Sequence, residues 1–164
     1  MEERIAGAVE EGEELNVVGR MLQPGEPAPP FTLDHTNGPV SLADLAGSIV
    51  VLNVVNSVDT PVCDIKTRRV DDLFPGAKVL TVSMDLPFAL DRWTAAAGVT
   101  HPALSAHRSK DFGRDYGVLI KEWRMLQRAV FVIDADGRLV HVEYVADQME
   151  QPDYDAAVAA AAAV

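Results

Sequence analysis

The run Ile49-Val50-Val51-Leu52-Asn53-Val54-Val55, followed shortly by Asp59-Thr60-Pro61-Val62-Cys63-Asp64, decides how this chain is read. The first segment is apolar at nearly every position, the pattern of a strand covered on both faces. From Pro61 to about Leu73 the chain can be helical. Cys63, the only cysteine among 164 residues, then falls in the first turn of a helix at the exit of a strand. Backbone N–H groups there have no helical partner, and the helix dipole is positive. Such a position favours thiolate over thiol, and the thiolate is the nucleophile. Pro61 suits the first helical position, where its missing N–H costs nothing, and Thr60 or Asp59 can cap. The same residues also fit a buried structural cysteine at a strand-to-helix turn, since free cysteine is among the most buried residue types.

Within the helical segment, Val62, Ile65, Val70 and Leu73 fall on an arc of roughly 140° and are expected to face inward. Lys66 and Arg69 project into the same arc; their charged ends are expected first to reach out to water, the alternative being that they add positive potential near the thiol.

Working outward, Ala77-Lys78-Val79-Leu80-Thr81-Val82-Ser83 reads as a second core strand. Pro87 opens a helix carrying Phe88, Leu90 and Trp93, and Gly98 closes it. His101 to Ser105 is a short strand. Ser109 to Tyr116 is a helical turn with Phe112 and Tyr116 inward, stopped by Gly117, and Val118-Leu119-Ile120 is a short apolar run. Arg128-Ala129-Val130-Phe131-Val132-Ile133-Asp134 is a third strong strand. Ala135-Asp136-Gly137 supplies a tight turn into the alternating return strand 138–145. Asp153 caps a closing Ala-rich helix with Tyr154 and Val158 on its packing face.

Toward the N-terminus, Phe31 to Asp34 is a short strand, Asn37-Gly38 a turn, and Ser41 to Leu45 a capped helical turn ending at Gly47. The proline-rich residues 21–30 form an extended connector too short to divide domains. Residues 4–20 are expected to make a peripheral hairpin turning at 12–14.

The order β-α-β-α, then a hairpin and a final helix, predicts an α/β fold. It is a thioredoxin-like three-layer sandwich with a mixed central sheet and an N-terminal β-hairpin extension, one domain over 1–164 with the hairpin in 1–20. In such folds functional groups gather at the carboxyl ends of the parallel strands, where Cys63 is placed.

The net charge is −11, from 14 basic and 25 acidic residues, which argues against nucleic acid and anionic membrane as partners. One cysteine forms no intramolecular disulfide and no cysteine-rich zinc site. His35, His101, His107 and His141 lack metal-ligand spacing, so neither a metal nor a cofactor is expected. Met1-Glu2-Glu3-Arg4 lacks the basic-then-apolar pattern of a signal peptide and no apolar run reaches membrane-spanning length, so a cytoplasmic location is expected.

Ser57-Val58-Asp59-Thr60-Pro61-Val62-Cys63 resembles the active-site signature of the peroxiredoxins, specifically their bacterial thiol peroxidase branch. The likeness continues through Asp85-Leu86-Pro87-Phe88-Ala89, Asp91-Arg92-Trp93, Phe112 to Val118, Arg128 to Val132 with Asp136-Gly137, and Gln151 to Ala157. It covers about residues 20–160, in order and with matching spacing.

The resemblance implies a thiol-dependent peroxidase acting on hydrogen peroxide or organic hydroperoxides. It implies Cys63 as peroxidatic nucleophile, Thr60 directing its hydroxyl toward peroxide and sulfur, and Arg128 as the active-site arginine holding thiolate and peroxide oxygens. Without the resemblance, Arg128 reads first as a charged residue at a strand entrance, and Thr60 as a simple N-cap, a role compatible with the peroxide contact. The resemblance further implies a homodimer.

Two positions depart from the family pattern. Asn56 stands where a proline usually precedes the cysteine by seven positions. Thr94 stands where this branch usually carries its resolving cysteine. With one cysteine, a sulfenic acid at Cys63 has to be resolved by an external thiol reductant, by a second subunit, or by direct reduction. A non-turnover redox sensor or binding protein on the same fold is the alternative reading.

Overall fold

The computed structural model describes residues 2–60 and 69–164. After a short two-stranded ladder of β3 (Thr32–Leu33) and β4 (Val40–Ser41), the centre is a five-stranded sheet made of β5 (Val50–Val54), β6 (Lys78–Ser83), β7 (Ala103–Ser105), β10 (Ala129–Ile133) and β11 (Leu139–Tyr144). Its order is β11-β10-β5-β6-β7. Strands β5, β6 and β7 run parallel, while β10 lies antiparallel to β5 and to β11, so the sheet is mixed as the element order predicts. All residues of β5 and β10 are buried, which explains their unbroken apolar character: both faces are covered.

The two-residue period of the strands sorts these side chains onto two faces. Val50, Leu52, Val54, Phe131 and Ile133 join a core with Phe31, Phe112 and Tyr116. Val51, Val130 and Val132 point the other way, against Val70, Phe74, Tyr154 and Ala157. Helix α2 (Phe112–Asp115) therefore covers one face and helix α3 (Tyr154–Ala162) the other. Helix α1 (Pro87–Ala97) packs through Leu90 and Trp93 against Val55, Val58 and Ala103. Its boundaries follow from Pro87 in the first turn and from Gly98, which takes the left-handed conformation that glycine allows. Asp153 accepts the Ala156 N–H at 3.1 Å, the cap expected of α3.

The part of the predicted helix at 61–68, with Cys63, lies outside the described residues, and the described end of that segment corrects an expectation. Its far end is a 3₁₀ turn, Val70–Leu73, in which Val70 is buried but Leu73 is exposed. Phe74, one residue on, fills the core instead. In α1, Phe88 is 77% exposed.

The N-terminal hairpin, β1 (Glu3–Glu10) and β2 (Glu13–Val18), turns at Glu11-Gly12, earlier than expected. Both turn residues have positive φ, at 49° and 84°, the geometry that matches strand twist in a two-residue hairpin. The hairpin belongs to a second sheet, β1-β2-β8-β9, with β8 (Leu119–Ile120) and β9 (Met125–Leu126). The Arg4 guanidinium ties it to the body of the protein. Arg4 Nη2 donates to the Gly117 carbonyl at 2.8 Å and to Gln127 Oε1 at 3.1 Å, and the group packs over the Tyr144 ring. Among the described residues, no helix is long and apolar enough to cross a membrane.

Candidate active site

Antiparallel pairing of β10 with β5 sets Ala129 opposite Val54. Arg128, the residue before β10, therefore sits beside the chain leaving the carboxyl end of β5. This juxtaposes residues far apart in sequence. Arg128 Nη2 lies 3.4 Å from Thr60 Oγ1 across 68 positions, at the long end of the hydrogen-bond range. The Thr60 hydroxyl donates to the Ser57 carbonyl at 3.1 Å, which leaves its oxygen to accept from the guanidinium. Arg128 is buried despite its charge, 3% exposed, so its donors must be met within the protein. Nε donates to the Gln148 carbonyl at 2.6 Å, and the Arg128 backbone N–H donates to Gln148 Oε1 at 2.9 Å.

Of the three residues singled out from the sequence, the structure thus brings Thr60 and Arg128 together. Cys63, three positions beyond Thr60, lies outside the described residues.

The segment leading to Thr60 is held by Asp85 at the exit of β6. Its carboxylate accepts from Ser57 Oγ at 2.8 Å, from the Val58 N–H at 2.9 Å and from Ser83 Oγ at 2.8 Å. Charge-assisted bonds to a carboxylate are the stronger kind, so Asp85 fixes the exits of β5 and β6 to one another. On the outer side, Arg92 of α1 pairs with Asp59 at 3.6 Å, with both side chains well exposed.

Asn56 is buried. Its Nδ2 donates to the Leu126 carbonyl at 2.6 Å and to Gln148 Oε1 at 3.0 Å. Thr94 lies in α1, its hydroxyl donating to the Asp91 carbonyl at 3.0 Å, an ordinary intrahelical bond. Among the described residues, no cluster of His, Cys, Asp and Glu is arranged to hold a metal ion.

Sequence reasoning missed Gln148 and the structural part played by Asp85. Asp85 stands in the motif Asp85-Leu86-Pro87, two residues after Ser83. Ser83 Oγ accepts the Asp85 N–H at 3.1 Å, a serine-type turn, and that spacing was a usable signal. Gln148 sits in a polar segment with nothing local to mark it.

Layers, sheet order and a polar strand exit together define a thioredoxin-like α/β protein with its candidate site at the carboxyl end of the central parallel strands. The AhpC/TSA family profile matches residues 24–142, and the chain belongs to that family, the peroxiredoxins. A thiol peroxidase of Halalkalibacterium halodurans is 45% identical over 157 residues, 93% of this chain and 95% of that protein. A thiol peroxidase of Streptococcus pneumoniae is 45% identical over 158 residues, 93% of this chain and 97% of that one. Among solved structures, a peroxiredoxin-like protein from Aquifex aeolicus superposes with a TM-score of 0.88 at 30% identity, covering 97% of this chain and 98% of its own.

Proposed function

We propose that this protein is a one-cysteine thiol peroxidase in which Cys63 reduces hydrogen peroxide or an organic hydroperoxide. Family membership and near-full-length similarity to thiol peroxidases support the reaction class. The observation that carries the site assignment is the meeting of Arg128 and Thr60, 68 positions apart, three residues before the lone cysteine.

In this reading the Cys63 thiolate attacks one peroxide oxygen. A sulfur–oxygen bond forms as the O–O bond breaks. The departing oxygen leaves as water or an alcohol after taking a proton, and Cys63 becomes a sulfenic acid. The Arg128 guanidinium is permanently charged and rigidly forked. It favours the thiolate before attack and stabilises the negative charge on the leaving oxygen. The Thr60 hydroxyl orients the peroxide.

The chain has one cysteine, so an external thiol condenses with the sulfenic acid, releasing water, and a second thiol frees Cys63 from the mixed disulfide. A reducing compartment such as the cytoplasm supplies such thiols. A homodimer built on the surface around exposed Leu86 and Phe88, at the start of α1, completes the reading.

The test is peroxide consumption with a dithiol reductant, comparing the wild-type chain with Cys63→Ser. Peroxide loss confined to the wild type is expected, and equal rates would sink the proposal. A sensor that oxidises once without turnover is the second reading, favoured by Asn56 and Thr94. Steady multiple turnover eliminates it.

A further inference from the structure

Gln148, in the segment after β11, is completely buried, and both ends of its side-chain amide are used. Oε1 accepts from the Arg128 backbone N–H at 2.9 Å and from Asn56 Nδ2 at 3.0 Å. Nε2 donates to the carbonyls of Val145 at 2.7 Å and Ala146 at 3.2 Å. Two donors meet the oxygen and two carbonyls meet the nitrogen, so the partners fix the orientation of the amide. The Gln148 carbonyl then accepts Arg128 Nε at 2.6 Å. One residue thereby grips Arg128 twice, by its main-chain N–H and by the guanidinium. With Nε held, the plane of the guanidinium is set, and Nη2 is presented to Thr60 at 3.4 Å. Gln148 is itself anchored through its N–H to the Val9 carbonyl at 2.8 Å.

Asn56 reaches the same oxygen from the other direction. It lies four positions before Thr60 on the chain leaving β5, and its second donor contact, to the Leu126 carbonyl, ties that chain to β9. The arginine side and the cysteine side of the site therefore share one acceptor atom.

We propose that Gln148 and Asn56 are a pair of positioning residues that aim Arg128 at the reacting centre. This rests on the peroxidase reading for what Arg128 does, though not for where it is held. A purely structural role for the same bonds would affect folding alone. A positioning role makes the chemistry of Cys63 depend on Gln148 through Arg128.

The experiment measures the pH profile of Cys63 alkylation by iodoacetamide, and the rate of Cys63 oxidation by hydrogen peroxide. The full-length chain is compared with Gln148→Leu, Arg128→Met and the double variant, with melting curves alongside. Losing or misplacing the Arg128 charge raises the thiol pKa. Gln148→Leu is therefore expected to move the alkylation profile toward higher pH, part of the way to Arg128→Met. It is also expected to slow oxidation by about 10- to 100-fold. The double variant is expected to match Arg128→Met alone, the signature of acting through one group.

A wild-type profile for Gln148→Leu, a wild-type profile for Arg128→Met, or full additivity in the double variant would each overturn the proposal. If Gln148→Leu does not fold, Asn56→Ala gives the same readout in smaller measure. A wild-type chain that ignores peroxide contradicts the peroxidase reading, while the alkylation profiles still decide the positioning claim.

Discussion

Two buried regions of this molecule are held by different physics. On one face of the sheet, Phe31, Phe112, Tyr116, Phe131 and Tyr144 form a continuous aromatic cluster. Phe112 stacks on Tyr116 at 4.6 Å between ring centres, and Phe131 meets Tyr116 and Tyr144 edge-on at 5.1 and 5.5 Å. Its stability comes from apolar area withdrawn from water and from ring geometry. The hydroxyls at its rim are satisfied locally: Tyr116 donates to Pro29 and Tyr144 to the Tyr116 carbonyl.

At the strand exit, Asn56, Arg128 and Gln148 are equally buried, yet almost every contact that defines them is a directed hydrogen bond. The first region tolerates small displacement and loses energy in proportion to what is removed. The second region has little net energy to give, because its bonds replace bonds to water, but it fixes directions. Damage to the first is expected to be read in stability and, on the role proposed for Arg128, damage to the second in the reactivity of Cys63.

The largest stability effect is expected from Phe131→Ala, at about 3–5 kcal/mol, seen as a lower denaturation midpoint in urea. The molecules that remain folded should keep the wild-type alkylation profile of Cys63. A changed profile would show that the two regions are not separable. Asn56→Ala is expected to cost less, about 1–3 kcal/mol, because the Leu126 carbonyl loses this donor. It should nevertheless slow Cys63 oxidation, so ranking the two variants by stability and by reactivity should give opposite orders.

The smallest effect concerns His101, buried in the segment between α1 and β7. Its Nε2 lies 2.7 Å from Thr81 Oγ1, and its Nδ1 lies 3.3 Å from Asp71. Burial pushes the imidazole pKa below its ordinary 6.5, although Asp71 acts in the opposite sense. The unfolded chain then binds this proton more readily than the folded one. Stability is full above the unfolded value and falls as pH drops below about 6.5. His101→Gln should flatten this decline in thermal melts between pH 7 and 5. An unchanged slope would show that the histidine does not titrate with folding. Asp71, with its carboxyl also held low, adds its loss only further into acid.

The same contrast explains what the sequence reveals. Strands β5 and β10 are legible because burial on both faces leaves an unbroken apolar run. Helix α1 is legible because Pro87 and Gly98 mark its ends by backbone chemistry, and α3 because Asp153 caps it. These are local signals. The pairing of β2 with β8 joins Val17 to Ile120, and no local period encodes that distance. The placement of Leu73 in solvent and Phe74 in the core reflects a tight 3₁₀ turn where helical periodicity predicts otherwise.

At the site, Thr60 and Arg128 were legible only through the family register, since each alone reads as a cap or a strand-entrance charge. Asn56 was visible as a departure from the family pattern, but its partner was not. A buried glutamine in a polar segment looks like any surface residue until the fold closes around it.

The central claim is that Cys63 is a peroxidatic thiol assisted by Arg128. Intact-mass analysis after one equivalent of hydrogen peroxide, with a sulfenic-acid trap present, tests it most directly. The account predicts one rapid trap adduct, located at Cys63, absent in Cys63→Ser and formed about 10²- to 10³-fold more slowly in Arg128→Met. An adduct in the wild-type chain that forms no faster than in the Arg128→Met variant, or no adduct at all, would contradict it.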